Sequence, residues 1–388
     1  MRRRLALLAG CLGLVSAGGG AAAGGQSCAS LHCAQRLIYI GRHAVGNDHG
    51  IVAARFDTTT GVLTGLGLAA RIEQPTWLES DPERPVLYSV NELGNKGEAR
   101  GAVYSLAIDP AGGMLRTVSQ VDSGGGGATN LAYEPRSATI FVANYGGGQV
   151  GAIPVGKNGR LAATSSVQTD AGSGPNPRQK GPHAHGVAVD PSGVFVLVPD
   201  LGADRIFTYK YDATTRKLTP ASVPFVTLPP GSGPRHLVFS PNGQLAFAVT
   251  ELSAEVFSYR WDAKAGQLTQ LSRTALDEAG FAGKKSATEI AVSHDGRFVY
   301  VSNRAENMLQ VYAVDQRTGA LATVQRIGCG GTVPWSFTVD PDGKWLLVAN
   351  EASNTISVFS VDRTTGRLAA TGNTLSVASP VNIAFYPN

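Results

Sequence analysis

Apolar and polar positions alternate with period two along much of this chain, as in Gly186-Val187-Ala188-Val189-Asp190 and His236-Leu237-Val238-Phe239-Ser240. That period is the mark of strands with one buried face. One short pattern recurs, an apolar strand that ends in a small polar residue. It stands at Tyr39-Ile40-Gly41, Tyr88-Ser89-Val90-Asn91, Phe141-Val142-Ala143-Asn144, Leu197-Val198-Pro199-Asp200, Phe247-Ala248-Val249-Thr250, Tyr300-Val301-Ser302-Asn303 and Leu347-Val348-Ala349-Asn350, spaced by 47 to 56 residues. Nine positions before six of these ends lie Pro82, Pro135, Pro191, Pro241, His294 and Pro341, which with the turn formers after them predict hairpin turns. After most of the repeats comes a second alternating strand and an Asp-x-x-x-Gly-x-Leu turn, beginning at Asp57, Asp109, Asp262, Asp315 and Asp362. Each unit therefore holds about four short strands.

The chain closes on one more alternating strand over 381–386, and the opening strand over 37–40 is left to pair with it. Sharing the last unit between the two termini joins the circle and leaves no open sheet edge. The expected fold is all-β, a seven-bladed β-propeller over 37–388 whose closing blade combines N- and C-terminal strands. Composition agrees: 48 glycines and 21 prolines suit many tight turns, and 43% hydrophobic against 16% charged residues suits a globular chain of 388 residues.

Arg2, Arg3 and Arg4, an apolar run from Leu5 to Val15 and small residues up to Ala23 read as an export signal over 1–23, followed by a tail over 24–36. The expected location is periplasmic or extracellular; the alternative is a lipid anchor at Cys11 within Leu8-Ala9-Gly10-Cys11. The apolar run is too short for a permanent integral membrane span. Three of the charges behind the formal +4 belong to the signal, so the remainder sits near +1 and implies no nucleic-acid partner. Cys28 and Cys33 are close enough to form a small disulfide loop or are free thiols; Cys329 is left unpaired, and the spacing makes no metal site.

In a propeller the start of each blade's first strand and the end of its second meet at the same mouth. The position six before each turn gives Thr76, Thr129, His185, Arg235, Thr288, Trp335 and Val381; the position after each polar strand end gives Arg42, Glu92, Tyr145, Leu201, Glu251, Arg304 and Glu351. Charges at such positions need a reason, because unpaired buried charge is expensive. Either they form a solvated lining with blade-to-blade ion pairs, or they form an anion-binding acid–base site. His183, His236 and His294 read as structural or supporting; the glycine runs 124–127 and 146–148 read as turns, since no helix follows to cradle a phosphate.

The stretches Asn91-Glu92, Asn144-Tyr145-Gly146-Gly147-Gly148, Arg178-Gln179, Pro182-His183-Ala184-His185, Gly231 to His236 and Tyr300 to Arg304 resemble the lactonase family of seven-bladed propellers, of the bacterial 6-phosphogluconolactonase type, to which fungal carboxy-muconate lactonising enzymes are similar. The resemblance implies catalytic roles for His185, Arg235, Glu251 and Arg304, the same four that the repeat singles out. The expected substrate-binding surface comprises Arg42, Glu92, Asn144, Tyr145, His183, His236, Glu289 and Trp335. Gly41-Arg42-His43-Ala44 departs from the Gly-Thr-Tyr-like stretch common in the family, and Thr250-Glu251-Leu252 from the usual Asn-Glu-Leu. The expected activity is hydrolysis of a small sugar or sugar-phosphate-like lactone, without metal or cofactor. Glu251 or His185 would be the general base, and Arg235 and Arg304 would polarise the carbonyl. The alternatives are lactone formation from an unsaturated dicarboxylate and a secreted propeller that only binds; the oligomeric state is left open.

Overall fold

The computed structural model describes residues 35–386 apart from 45, 47–48 and 97–98. The expected leader, most of the tail, Cys11, Cys28 and Cys33 lie outside the described residues. Seven antiparallel four-stranded sheets make up the molecule. The strand Pro380–Phe385 pairs with Gln35–Arg42 in the register Ile38↔Phe385, Tyr39↔Ala384, Ile40↔Ile383, so the two termini share the closing blade of a seven-bladed propeller. The opening strand starts at Gln35, two residues before the expected domain boundary, because Gln35 and Arg36 still pair with Asp57 and Phe56.

Buried side chains form seven clusters, each spanning two neighbouring blades. Phe247, for example, is fully buried among Val249, Ile290, Val299 and Tyr312 of its own and the next blade. Emptying such a position costs about 3–5 kcal/mol. The recurring polar residue at the end of each second strand closes the turn that follows it. Asp200 Oδ1 accepts the Ala203 N–H at 2.7 Å, Thr250 Oγ1 the Glu255 N–H at 3.1 Å, and Asn303 Oδ1 the Ala305 N–H at 3.1 Å. These bonds tie off backbone donors that the tight turn would leave unmet.

The five Asp-initiated turns form as expected, Asp57 Oδ1 accepting from Thr59 and Thr60 at 2.8 and 2.9 Å. A sixth appears at Asp212, which accepts from Thr214 and Thr215. Its glycine position is held by Arg216 at φ 59°, a conformation that disfavours side chains, and the Arg216 guanidinium is held by Thr139 Oγ1 at 2.6 Å across the blade boundary.

Where the first strands reach the axis, they bulge. The ladder skips a residue between Ala128 and Asn130, between Pro234 and His236 and between Pro334 and Ser336, and two between Ala287 and Ile290. The skipped residues are Thr129, Arg235, Trp335 and the pair Thr288 and Glu289. Bulges re-aim side chains out of the regular in-and-out alternation, and this places long polar groups at the axis without disturbing the apolar faces between blades.

Candidate active site

Thr76, Thr129, His185, Arg235 and Trp335, one from each of five blades, line a single cleft at the axis together with Trp77, Glu92, His236 and Ser336. The strand before His185 is the least regular in the ring. Only Ala188–Val189 are paired as a strand, while the His185 and Gly186 N–H groups both point at the Pro199 carbonyl. Gly186 is required there, since a Cβ would lie 2.6 Å from the Arg235 carbonyl oxygen. Asp204 fastens the two loops beside it: its carboxylate accepts from Gln179 Nε2 at 2.7 Å and from the Gly231 and Gly233 N–H groups at 2.7 and 2.8 Å.

Glu251, 1% exposed, is the centre of charge. Its Oε1 accepts from Arg304 Nη2 at 2.7 Å and from Arg178 Nη1; its Oε2 accepts from Arg235 Nε at 3.2 Å. Burial alone would raise this carboxyl, but Arg304, His185, Arg235 and Arg178 together hold it far below the usual carboxylate range. His185 Nε2 stands 3.6 Å from Glu251 Oε2, beyond a hydrogen bond. Burial, then the neighbouring Arg235, push the His185 imidazole well below its ordinary value, so it is neutral at neutral pH. Its Nδ1 is buried and has no hydrogen-bond partner.

The arginines are partly spent. Arg235 Nη1 donates to the Thr288 carbonyl at 2.8 Å and Arg304 Nε to Ser286 Oγ at 2.6 Å. Arg304 lies over the Trp335 ring at 4.6 Å and Arg235 at 5.9 Å, contacts that favour a cation on the indole face. Among the described residues Arg235 Nη2 and Arg304 Nη1 have no hydrogen-bond partner.

Of the remaining expected residues, Tyr145 accepts from Arg178 Nη2 at 3.0 Å and stacks on His183 at 4.5 Å. His183 Nδ1 donates to the Tyr145 carbonyl at 2.7 Å, a supporting position. His236 forms the floor of the cleft, with Nδ1 2.8 Å from Glu289 Oε1 and its ring edge-on to Trp77. Beneath it a second cavity of about 190 Å³ is lined by Trp77, Glu79, Asn130, His236 and Glu289. Two expected residues lie elsewhere. Arg42 Nε donates to the Gly50 carbonyl at 2.9 Å, because the ladder shifts register between Gly41 and Arg42. Asn144 spends its amide on Ser123 and on the Gln149 carbonyl, closing the end of its blade.

Three contributors were not expected. Arg178 comes from the loop between the strands Ser166–Thr169 and Ala188–Val189 and so occupies no repeat position. Ser286 orients Arg304. His43 stands in the place vacated by Arg42, with Nδ1 2.7 Å from Glu351 Oε1 and its ring 4.7 Å from Trp335. Cys329 is a buried free thiol, and no cluster of three metal-ligating side chains exists among the described residues.

Known proteins share this architecture. The chain is 32% identical over 304 residues to the 6-phosphogluconolactonase of Bacillus subtilis (strain 168), covering 78% of this chain and 84% of that protein. The solved structure of the periplasmic gluconolactonase PpgL of Pseudomonas aeruginosa superposes with a TM-score of 0.85 at 36% identity, over 91% of this chain and 99% of that one. A protein from Lactobacillus plantarum gives 0.84 at 31%, over 90% and 99%. The model of the family described as lactonase, 7-bladed beta-propeller, matches residues 37–385; with the central cleft, the shared closing blade and these relatives, the chain belongs to that lactonase family.

Proposed function

We propose that this protein hydrolyses a small sugar-type lactone at the axial cleft, with His185 as the general base. The observation that carries this reading is a buried, neutral imidazole with an unpartnered Nδ1 beside Arg235 Nη2 and Arg304 Nη1, which have no acceptor among the described residues. The lactone carbonyl oxygen would take hydrogen bonds from Arg235 Nη2 and Arg304 Nη1, which stabilise the oxyanion as water adds to the carbonyl carbon. His185 takes the water proton and returns it to the ring oxygen as the C–O bond breaks, so one imidazole serves both steps. Glu251 is unsuited to be the base: a carboxylate held by three guanidiniums has little proton affinity. Its part is to fix the arginines in register. Tyr145, Trp335 and Glu92 would contact the substrate, and His183 and His236 would hold the walls.

A propeller built only to bind would leave every acid–base group of the mouth paired, and the free His185 Nδ1 argues against it. No helix among the described residues is long and apolar enough to cross a membrane. The arginine-led leader and the periplasmic relative support export. The test is proton release at constant pH from a panel of sugar, sugar-phosphate and aliphatic lactones by the wild type and Arg235→Ala. Ring opening that falls about 10²-fold or more in the variant is expected. Silence across the panel, with lactone formed from unsaturated dicarboxylates instead, would replace hydrolysis by intramolecular addition of a carboxylate to a C=C bond at the same residues.

A further inference from the structure

We infer that the axial channel below the His236 floor is a second binding site, taking a small protonated amine with an apolar body that enters from the face opposite the axial cleft. Two spaces make up this part of the channel. The inner cavity of about 190 Å³ lies against His236 and Glu289; an outer one of about 310 Å³ is lined by Leu78, Thr338, Ile383 and the hairpin-turn residues Pro82 and Pro341. Those turns join first strands to second strands, so they stand at the face away from the strand ends that form the cleft mouth. Glu79 lines both spaces and marks where they meet.

The repeat shows how unusual this wall is. Three positions after the ring that holds Thr76 and His185, six blades carry Ala132, Ala188, Val238, Ala291, Thr338 and Ala384, and the seventh carries Glu79. Ala132 and Val238 line the inner cavity, Thr338 and Ala384 the outer one. Small side chains leave room at the axis, and one blade puts a carboxyl into it. A second carboxyl comes from Glu289, 5% exposed. Its Oε1 accepts the Ile290 N–H at 3.1 Å and lies 2.8 Å from His236 Nδ1. Its Oε2 is buried with no partner among the described residues, and so is Ser80 Oγ on the outer wall. Interior polar atoms of this kind call for a partner, and no Lys or Arg lines either space. Two carboxyls and a hydroxyl match the three donors of an ammonium group. Calcium takes six to eight oxygens, and no cluster of three metal-ligating side chains exists among the described residues. Trp77, Leu131, Val187 and Leu237 form walls against which an apolar body is buried.

Burial pushes the Glu79 carboxyl up to about 8, with only the Tyr133 N–H opposing the shift. The other titratable groups on these walls are Glu289 and His236, and burial lowers His236, which stays neutral. A cation beside Glu79 favours its ionised form, so binding releases a proton and tightens as pH rises toward 8. Glu289 serves both compartments, holding His236 with one oxygen and facing the lower cavity with the other.

The experiment titrates butylammonium chloride calorimetrically into the wild type, Glu79→Gln and Ala132→Leu, with 1-pentanol, sodium butyrate, potassium chloride and calcium chloride as comparison ligands. The wild type should bind butylammonium saturably and about tenfold more tightly at pH 7.5 than at pH 6.5. Glu79→Gln, which removes a charge that burial opposes, should weaken binding by about tenfold or more at pH 7.5 and abolish its pH dependence. Ala132→Leu fills the inner cavity without touching a charge and should weaken binding with the pH dependence kept. No saturable binding of butylammonium by the wild type at pH 8.5, binding unchanged in Glu79→Gln, or tighter binding of any comparison ligand overturns the inference. The pH dependence of the wild type alone decides it if a variant fails to fold: affinity flat between pH 6.5 and 8 overturns it.

Discussion

Two groups of buried carboxyls, on either side of the loop that carries His183 and His185, answer the same physical problem in opposite ways. Glu251 is over-supplied with cations and stays ionised. Asp170 and Asp200 have no guanidinium paired with them among the described residues. Burial and then the repulsion of Asp200 raise Asp170 well above the carboxylate range, and burial raises Asp200 as well, which favours their protonated forms. Asp170 Oδ1 accepts from Tyr209 at 2.5 Å, and Asp200 Oδ1 accepts the His183 N–H at 2.8 Å. The first arrangement keeps charge available at the axis. The second favours protonation, which lowers the charge beside the loop. Burial therefore does not by itself say what a carboxyl does; its partners decide.

The largest expected effect comes from neutralising the first group. Glu251→Gln leaves three arginines without their counter-ion and should lower kcat/KM by about 10³ and stability by roughly 3 kcal/mol, read by lactone turnover and chemical unfolding. An unchanged turnover would show that the cluster only braces the blades. Gly186→Ala pushes on the Arg235 carbonyl without touching any charge, and should lower kcat/KM by about tenfold to 10² through misplacement alone.

The pH response sharpens the contrast. Because the His185 value is depressed by burial and by Arg235, and the neutral ring is the active form, activity should persist as pH falls through 6.5, the ordinary histidine value, and decline only below it. In Arg235→Gln the residual activity should show this acid limb moved upward. An acid limb at or above 6.5 in the wild type would mean that His185 is not the titrating base. The smallest effect is on stability. A carboxyl raised in the folded state stabilises fully below its unfolded value and loses that contribution as pH rises through the folded value. Asp170→Asn should therefore be as stable as the wild type near pH 4 and more stable by about 1 kcal/mol at pH 8, seen as a higher melting temperature. Lower stability at every pH would show that burial of the Asp170 carboxyl does not cost stability at high pH.

Much of this was legible in the sequence because it lies on the repeat. The strand ends, the hairpin turns and the ring positions His185, Arg235, Glu251 and Arg304 recur at a fixed offset, and a fixed offset in a cyclic fold is a fixed place at the axis. What escaped lies off the repeat or depends on a local shift. Arg178 comes from a blade-to-blade connection that is longer than the others and so falls at no repeat position. Arg42 occupies a ring position by counting, yet the register change at Gly41 turns the mouth over to His43. Asn144 looked like part of the site, but it is one of the residues that tie off strand ends. The turn at Asp212 was missed because arginine stands where glycine is expected. The choice between Glu251 and His185 as base could not be made from residue types, since it depends on how many guanidiniums reach one carboxylate.

The central claim is that a neutral His185 activates water for lactone opening at the axial cleft. It is tested most directly by following proton release from glucono-1,5-lactone at constant pH, with the uncatalysed rate subtracted, for the wild type and His185→Gln between pH 5 and 8. The account predicts saturable turnover in the wild type, flat above pH 6.5, and a loss of about 10²-fold or more in the variant with its melting temperature preserved. Turnover in folded His185→Gln equal to that of the wild type would contradict it.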